Sequence, residues 1–209
     1  MHDENCTGEE DCVCEECFSG SVGEKIPSYE VRAYHKEEFV DLDLGDYHGK
    51  WLVLFFYPAD FTFVCPTELE EMAEKYKEFK KLGAEIVSVS TDTVFTHKAW
   101  HDTSEAIKKI TFPMAADTSG ELSRMLGTYI YEGEDAGLSL RGTFIIDPEG
   151  IIRSVEINDN SIGRSAKELF RKLQAAKYVR DHGGKQVCPA SWEPGDDTLT
   201  PGIDLVGKI

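Results

Sequence analysis

Six cysteines are the residues with chemical reach in this chain, and their spacing separates them. Cys65 and Cys188 stand alone, while Cys6, Cys12, Cys14 and Cys17 crowd the N-terminal tail. Cys65 lies in PADFTFVCPTEL (58–69), directly after the apolar run WLVLFFY (51–57). A thiol placed where a buried strand gives way to a helix meets unpaired backbone N–H groups and the positive end of the helix dipole. Both favour the thiolate, the form that attacks electrophiles. A free cysteine is also a common small core residue, and position alone leaves the two readings level. Pro58 and Pro66 stiffen the turn on either side. Thr62, three residues before the cysteine, has a hydroxyl suited to the sulfur or to a helix cap.

The surrounding elements must hold that thiol in place. The run 51–57 is continuous rather than alternating, as in a central strand covered on both faces. In TELEEMAEKYKEFKKLG, residues Leu69, Met72, Ala73, Tyr76, Phe79 and Leu82 share one helical face. Pro66 suits the first turn, Thr67 and Glu70 suit a capping box, and Gly83 suits the stop, so the helix is expected to start at 65–67. Upstream, YEVRAY and FVDLDL read as an N-terminal hairpin and GDYHGK as a turn. Downstream come a strand (85–91), a helix in FTHKAWHDTSEAIKKI and a short helix in SGELSRMLGT. An antiparallel hairpin in GTFIIDPEGIIRSVEI and a long helix in RSAKELFRKLQAAKYVRDHGG follow, the latter with Leu169, Phe170, Leu173 and Ala176 on one side. Structured sequence is expected from about Ile26. The order predicts an α/β, thioredoxin-like fold: a mixed central sheet flanked by helices, with an N-terminal hairpin and a C-terminal extension.

Composition narrows the function classes. The 209 residues suit one domain with extensions, and 41% hydrophobic content can fill a core. A net charge of −17 without a Lys/Arg run argues against nucleic acid as a partner. No stretch reaches the ~18 apolar residues of a membrane span, and the N-terminus reads as no secretory signal. A cytoplasmic setting is therefore expected, where cysteines serve redox or metal chemistry more often than a disulfide frame. Residues 1–20 hold seven Asp/Glu and no Lys or Arg, which reads as a mobile tail. The expected organisation is an acidic, cysteine-rich tail (1–21), a thioredoxin-like domain (22–184) and an extension (185–209) carrying Cys188.

Pro58-x-x-x-Thr62-x-x-Cys65 resembles the active-site signature of the peroxiredoxins. FFYPADFTFVCPTEL, VSTDTVFTHKAWHDTSEAI, RGTFIIDPEGIIR and VCPASW are similar to the typical two-cysteine members, within the alkyl hydroperoxide reductase C group. The resemblance spans about 24–209. It implies a thiol peroxidase in which Cys65 is the peroxidatic nucleophile and Thr62 bonds the thiolate and the peroxide. Pro58 would shield the pocket from water, Arg141 would be the active-site arginine, and Glu68 the carboxylate that orients it. Cys188 matches the resolving cysteine, supplied by the partner subunit. The resemblance also implies a homodimer, often built into a ring of five dimers. It calls for no cofactor or metal, and for re-reduction by a flavoprotein disulfide reductase or a thioredoxin- or glutaredoxin-like donor. Without the resemblance, Arg141 reads as an ordinary residue before a strand.

Acidity alone makes no fast peroxidase. Lowering a thiol from pKa about 8.5 to about 6 raises its thiolate fraction at neutral pH roughly 30-fold. The weaker nucleophilicity returns on the order of 10-fold of that gain. The rest has to come from donors aimed at the O–O bond: Arg141, Thr62 and backbone N–H groups near Cys65.

Several features depart from the resemblance or compete with it. Peroxide-sensitive members carry a Gly-Gly-Leu-Gly loop and a C-terminal Tyr-Phe helix. Here EAIKKITFP and DLVGKI stand instead, so resistance to over-oxidation is expected. The tail thiols leave three readings open: incidental, metal-binding, or a redox relay to Cys188. A thioredoxin-like reductase would want a second cysteine at 68, where the residue is Glu. A chaperone-like ring is a non-enzymatic alternative. His97 and His101 share a helical face but have no set of partners to complete a metal site, so a hydrogen-bonded or surface pair is expected.

Overall fold

Seven apolar residues in a row are buried without strain only if both faces of their strand are covered, and the structure covers both. The computed structural model describes residues 18–208. Its strands are β1 (Glu30–His35), β2 (Glu38–Asp43), β3 (Trp51–Phe56), β4 (Ala84–Ser90), β5 (Met114–Ala116), β6 (Arg141–Ile146) and β7 (Ile152–Asn158). Its helices are α1 (Cys65–Lys81), α2 (Val94–Thr103), α3 (Glu121–Met125) and α4 (Ala166–Asp181). The strands form one sheet in the order β2-β1-β5-β4-β3-β6-β7. β3–β4 and β4–β5 are parallel, and the other pairs are antiparallel.

β3 divides the core by alternation. Trp51, Val53, Phe55 and Tyr57 face one apolar cluster, under α1, α2 and α4, which includes Leu69, Met72, Phe79, Trp100 and Leu173. Leu52, Leu54 and Phe56 face a second cluster with Leu122 of α3, Ile26 and Phe144. Phe79 of α1 meets Phe170 of α4 edge to face, with centroids 5.1 Å apart. Cys65 belongs to the first cluster.

The hairpins at 30–43 and 141–158, the parallel β3–β4 pair and the buried face of α1 follow the sequence expectation. Four details differ. The capping box is absent: the N-cap is Val64, which makes no side-chain cap bond, and Thr67 Oγ1 donates to Val64 O at 2.7 Å. Glu70 instead pairs with Lys109 at 2.6 Å. The helix begins at Cys65, so Thr67 is already inside its first turn and cannot cap it. The second helix stops at Thr103, and a 3-10 turn at Ile107–Lys109 completes that segment. β5 carries three residues, too few for a periodic signal. Structure also starts before Ile26: Phe18 packs on the second cluster, and Lys25 pairs with Ile151.

Candidate active site

The turn from β3 into α1 places Cys65 at the first residue of the helix, fully buried. Pro66 has no N–H, and Thr67 and Glu68 both donate to Val64 O at 3.0 and 3.3 Å. Of the first four helical residues, that leaves the N–H of Cys65 for an anion beside the sulfur. Arg141 reaches the thiol through strand register. β3 and β6 pair antiparallel with Phe55 opposite Thr143. Continuing that register two residues sets Arg141 beside Tyr57, where the chain leaves the sheet for α1.

Arg141 Nη1 lies 3.4 Å from Cys65 Sγ and 2.6 Å from Glu68 Oε2, donating to both. Its Nε and Nη2 donate to Asn160 O at 2.9 and 2.8 Å, which fixes the plane of the guanidinium. Gly142, next in the strand, has to be glycine: a Cβ there would sit 2.4 Å from Thr128 Cγ2. Glu68 is also held by Arg164, whose backbone N–H and Nε donate to Oε1 at 2.8 and 2.9 Å. Arg164 Nη1 bonds Gly142 O and Thr143 Oγ1, and its guanidinium stacks 3.5 Å above the Phe55 ring. The side chains of Arg141, Arg164 and Glu68 are 4%, 3% and 2% exposed. Burial pulls the Arg164 guanidinium down from its ordinary value while Glu68 opposes the shift, and it stays charged.

Two buried guanidiniums share one carboxylate, so this hydrogen-bonded set carries one positive charge in excess. Cys65 Sγ is the group that Arg141 Nη1 meets beyond that carboxylate. A charge-assisted hydrogen bond of this kind contributes about 1.5–3 kcal/mol.

The other candidates sit as follows. Pro58 is buried at the start of the loop. Thr62 Oγ1 donates to Ala59 O at 2.8 Å, so its proton is directed at the backbone and not at the sulfur. The expected Thr62–thiolate bond is therefore absent in this state. Cys188 lies beyond α4, half-buried, with its thiol 3.9 Å from Ala175 O. It borders a cleft of about 690 Å³ whose walls include Arg171, Ala175, Val179 and Val187. Burial pushes the Cys188 thiol up, against the pull of Arg171. Its segment is pinned to α4 by Arg171 Nη1, which donates to Trp192 O at 3.0 Å, and Trp192 is buried. Cys65 and Cys188 are both free thiols within this one chain. Cys6, Cys12, Cys14 and Cys17 lie outside the described residues, so the three readings of the tail stand where the sequence left them.

Both ring nitrogens of His97 face protein acceptors, as expected of a hydrogen-bonded histidine. His101 Nε2 faces Ile110 O at 3.2 Å, and the carboxylates of Glu37 and Asp102 lie near its ring. Arg164 and the Asn160 carbonyl are the site groups that sequence reasoning missed. Arg164 stands in a loop after β7 with only the neighbouring helix start as a marker.

This is the setting of a thiol-dependent peroxidase, and comparison with known proteins gives the family. Residues 22–155 match the AhpC/TSA family, and residues 175–204 match the C-terminal domain of 1-Cys peroxiredoxin, which spans Cys188. Alkyl hydroperoxide reductase C of Bacillus subtilis (strain 168) is 53% identical over 188 residues, 90% of this chain and 98% of its own. The Escherichia coli (strain K12) protein of the same name is 50% identical over the same shares. The crystal structure of Enterococcus faecalis AhpC superposes with a TM-score of 0.76 at 48% identity, covering 80% of this chain and 98% of that one. Reduced Plasmodium vivax 2-Cys peroxiredoxin gives a TM-score of 0.81 at 31% identity, covering 88% and 94%. The chain belongs to the AhpC/TSA family of peroxiredoxins. It is a peroxidase that works through cysteine thiols.

Proposed function

We propose that this chain reduces hydrogen peroxide and organic hydroperoxides to water and alcohols, with Cys65 as the attacking thiol. The Arg141–Cys65 contact inside the buried Glu68 network carries this reading. The thiolate attacks the nearer peroxide oxygen, the O–O bond breaks, and Cys65 becomes a sulfenic acid. The departing oxygen leaves with the electron pair and takes a proton to give water or an alcohol. Arg141 and the Cys65 N–H stabilise the charge on that oxygen as it develops. Glu68 and Arg164 keep Arg141 aimed, and Pro58 limits water at the loop. Thr62 joins the donors once peroxide binds, by releasing Ala59 O.

Cys188 of a second copy then condenses with the sulfenic acid, releasing water and forming a disulfide between chains. Cys65 is fully buried and Cys188 is docked on α4, so local unfolding of both segments precedes that step. An external dithiol restores the two thiols. A flavoprotein disulfide reductase and a thioredoxin- or glutaredoxin-like protein are the donors to compare. The edge strand β7 offers an unpaired edge for a homodimer. Phe39, Phe61, Phe63 and Phe95 present exposed rings that suit further assembly into a ring of five dimers. We place the protein in the cytoplasm, where reduced thiols persist. Among the described residues no helix is long and apolar enough to cross a membrane.

The test is a non-reducing gel after one equivalent of peroxide. A disulfide-linked dimer is expected in the wild type and none in Cys188→Ser. A band at monomer mass alone would contradict the exchange between chains.

A further inference from the structure

Tyr57, Asp60 and His97 form a buried polar cluster that the chemistry above leaves unused. Tyr57 and His97 are fully buried and Asp60 is 7% exposed. Asp60 lies in the loop between β3 and α1, two residues before Thr62 and five before Cys65. Its Oδ1 accepts the Tyr57 hydroxyl at 2.8 Å, and its Oδ2 lies 2.8 Å from His97 Nδ1. His97, on α2, turns Nε2 to Ala115 O of β5 at 3.2 Å. The Asp60 N–H donates to Asp92 Oδ2 at 2.8 Å, and the same oxygen accepts the Ser90 hydroxyl at 2.8 Å.

A carbonyl oxygen only accepts, so His97 Nε2 carries a proton. Nδ1 faces Asp60 Oδ2, so one hydrogen bond joins the ring to the carboxyl group. These bonds tie the loop before Cys65 to β5, to α2 and to the turn between β4 and α2. The next residue, Phe61, has φ of 56°. A bulky side chain holds that left-handed conformation only where its surroundings over-determine it. Asp60, whose N–H and both carboxyl oxygens are tied, supplies that determination.

We infer that Asp60 and His97 are positioning residues whose pairing sets the path of the loop carrying Pro58 and Thr62 past Cys65. The inference rests on Cys65 being the peroxide-reactive thiol. Peroxide must meet several donors at once, whereas a small alkylating agent needs only an accessible thiolate, so a displaced loop slows the first reaction far more than the second.

The experiment measures two rate constants on the reduced full-length protein, for hydrogen peroxide by stopped flow and for iodoacetamide at Cys65 by site-resolved mass spectrometry. Asp60→Ala is expected to lower the peroxide constant by about 30-fold or more while alkylation stays within about 3-fold. Asp60→Asn should recover the peroxide constant to within about 5-fold of wild type, because its oxygen accepts Tyr57 and its amide donates to a neutral His97. If circular dichroism shows that Asp60→Ala does not fold, Tyr57→Phe replaces it, with an expected loss of about 5-fold at unchanged alkylation. Peroxide rates within about 3-fold of wild type in the folded variant overturn the inference, as do equal losses in both reactions or an Asp60→Asn protein as slow as Asp60→Ala. A wild type that itself reacts slowly with peroxide would instead refute the reading of Cys65.

Discussion

Glu68 accepts hydrogen bonds from two guanidinium groups with both of its oxygens, and all three side chains are nearly out of solvent. Removing the carboxylate from such a set leaves buried charge uncompensated. Glu68→Gln keeps the shape but leaves the two guanidiniums without the carboxylate they share. It is expected to lose about 3 kcal/mol in urea denaturation and about 10-fold or more in the peroxide rate, because Arg141 loses its aim. Unchanged stability and rate would show that the carboxylate does not organise the pair. At this scale the sequence was legible where a motif marks a residue, as at Cys65 and Arg141, and opaque where the partner comes from elsewhere. Arg164 joins the site only because the β7–α4 loop folds back over α1. Asn160 takes part through its backbone carbonyl, which no side-chain pattern announces. Thr62 was named for a bond to the sulfur, yet its hydroxyl donates to Ala59 O, a local backbone acceptor that side-chain spacing does not reveal.

Among the elements, the continuous run of β3 and the apolar face of α1 were readable because tertiary burial and local period agree there. β5 was not, since three residues show no period, and the Thr67–Glu70 pattern misled because the helix starts two residues earlier. The segment after α4 has a testable consequence. Docking raises the Cys188 thiol, mainly by burial. A group raised in the docked state stabilises docking below its undocked value and loses that contribution as pH climbs through the docked one. In the reduced protein, raising pH from about 7 to about 10 should therefore shift Trp192 emission toward that of a solvent-exposed indole. Cys188→Ser should lack the shift, and an equal shift in both would remove Cys188 as its cause. The segment holds a bridge between Val187 and Leu199 and a 3-10 turn at Ile203–Leu205, with no longer element among the described residues. Little therefore retains Cys188 once it undocks. Mass spectrometry after low peroxide should find disulfide rather than sulfinic acid at Cys65, and early sulfinic acid would contradict the expected resistance.

At the scale of the whole molecule, we propose that the exposed rings are where copies meet. Phe95 is 64% exposed and lies edge to face with Phe39, centroids 5.2 Å apart. Phe63 is 93% exposed. Phe95→Asp is expected to lower the mass of the reduced assembly in sedimentation velocity to that of a dimer, and an unchanged mass would move the contact elsewhere. The acidic balance of −17 is consistent with a surface that attracts no nucleic acid. The reaction of Cys65 with peroxide gives the most direct test. The measurement is the second-order rate constant for hydrogen peroxide with reduced wild type and with Arg141→Ala, each shown to be folded. A loss of about 10²–10³-fold is expected, because one oxyanion donor has been removed from a preorganised site. A folded Arg141→Ala protein reacting at the wild-type rate would contradict the role assigned to the guanidinium beside the sulfur.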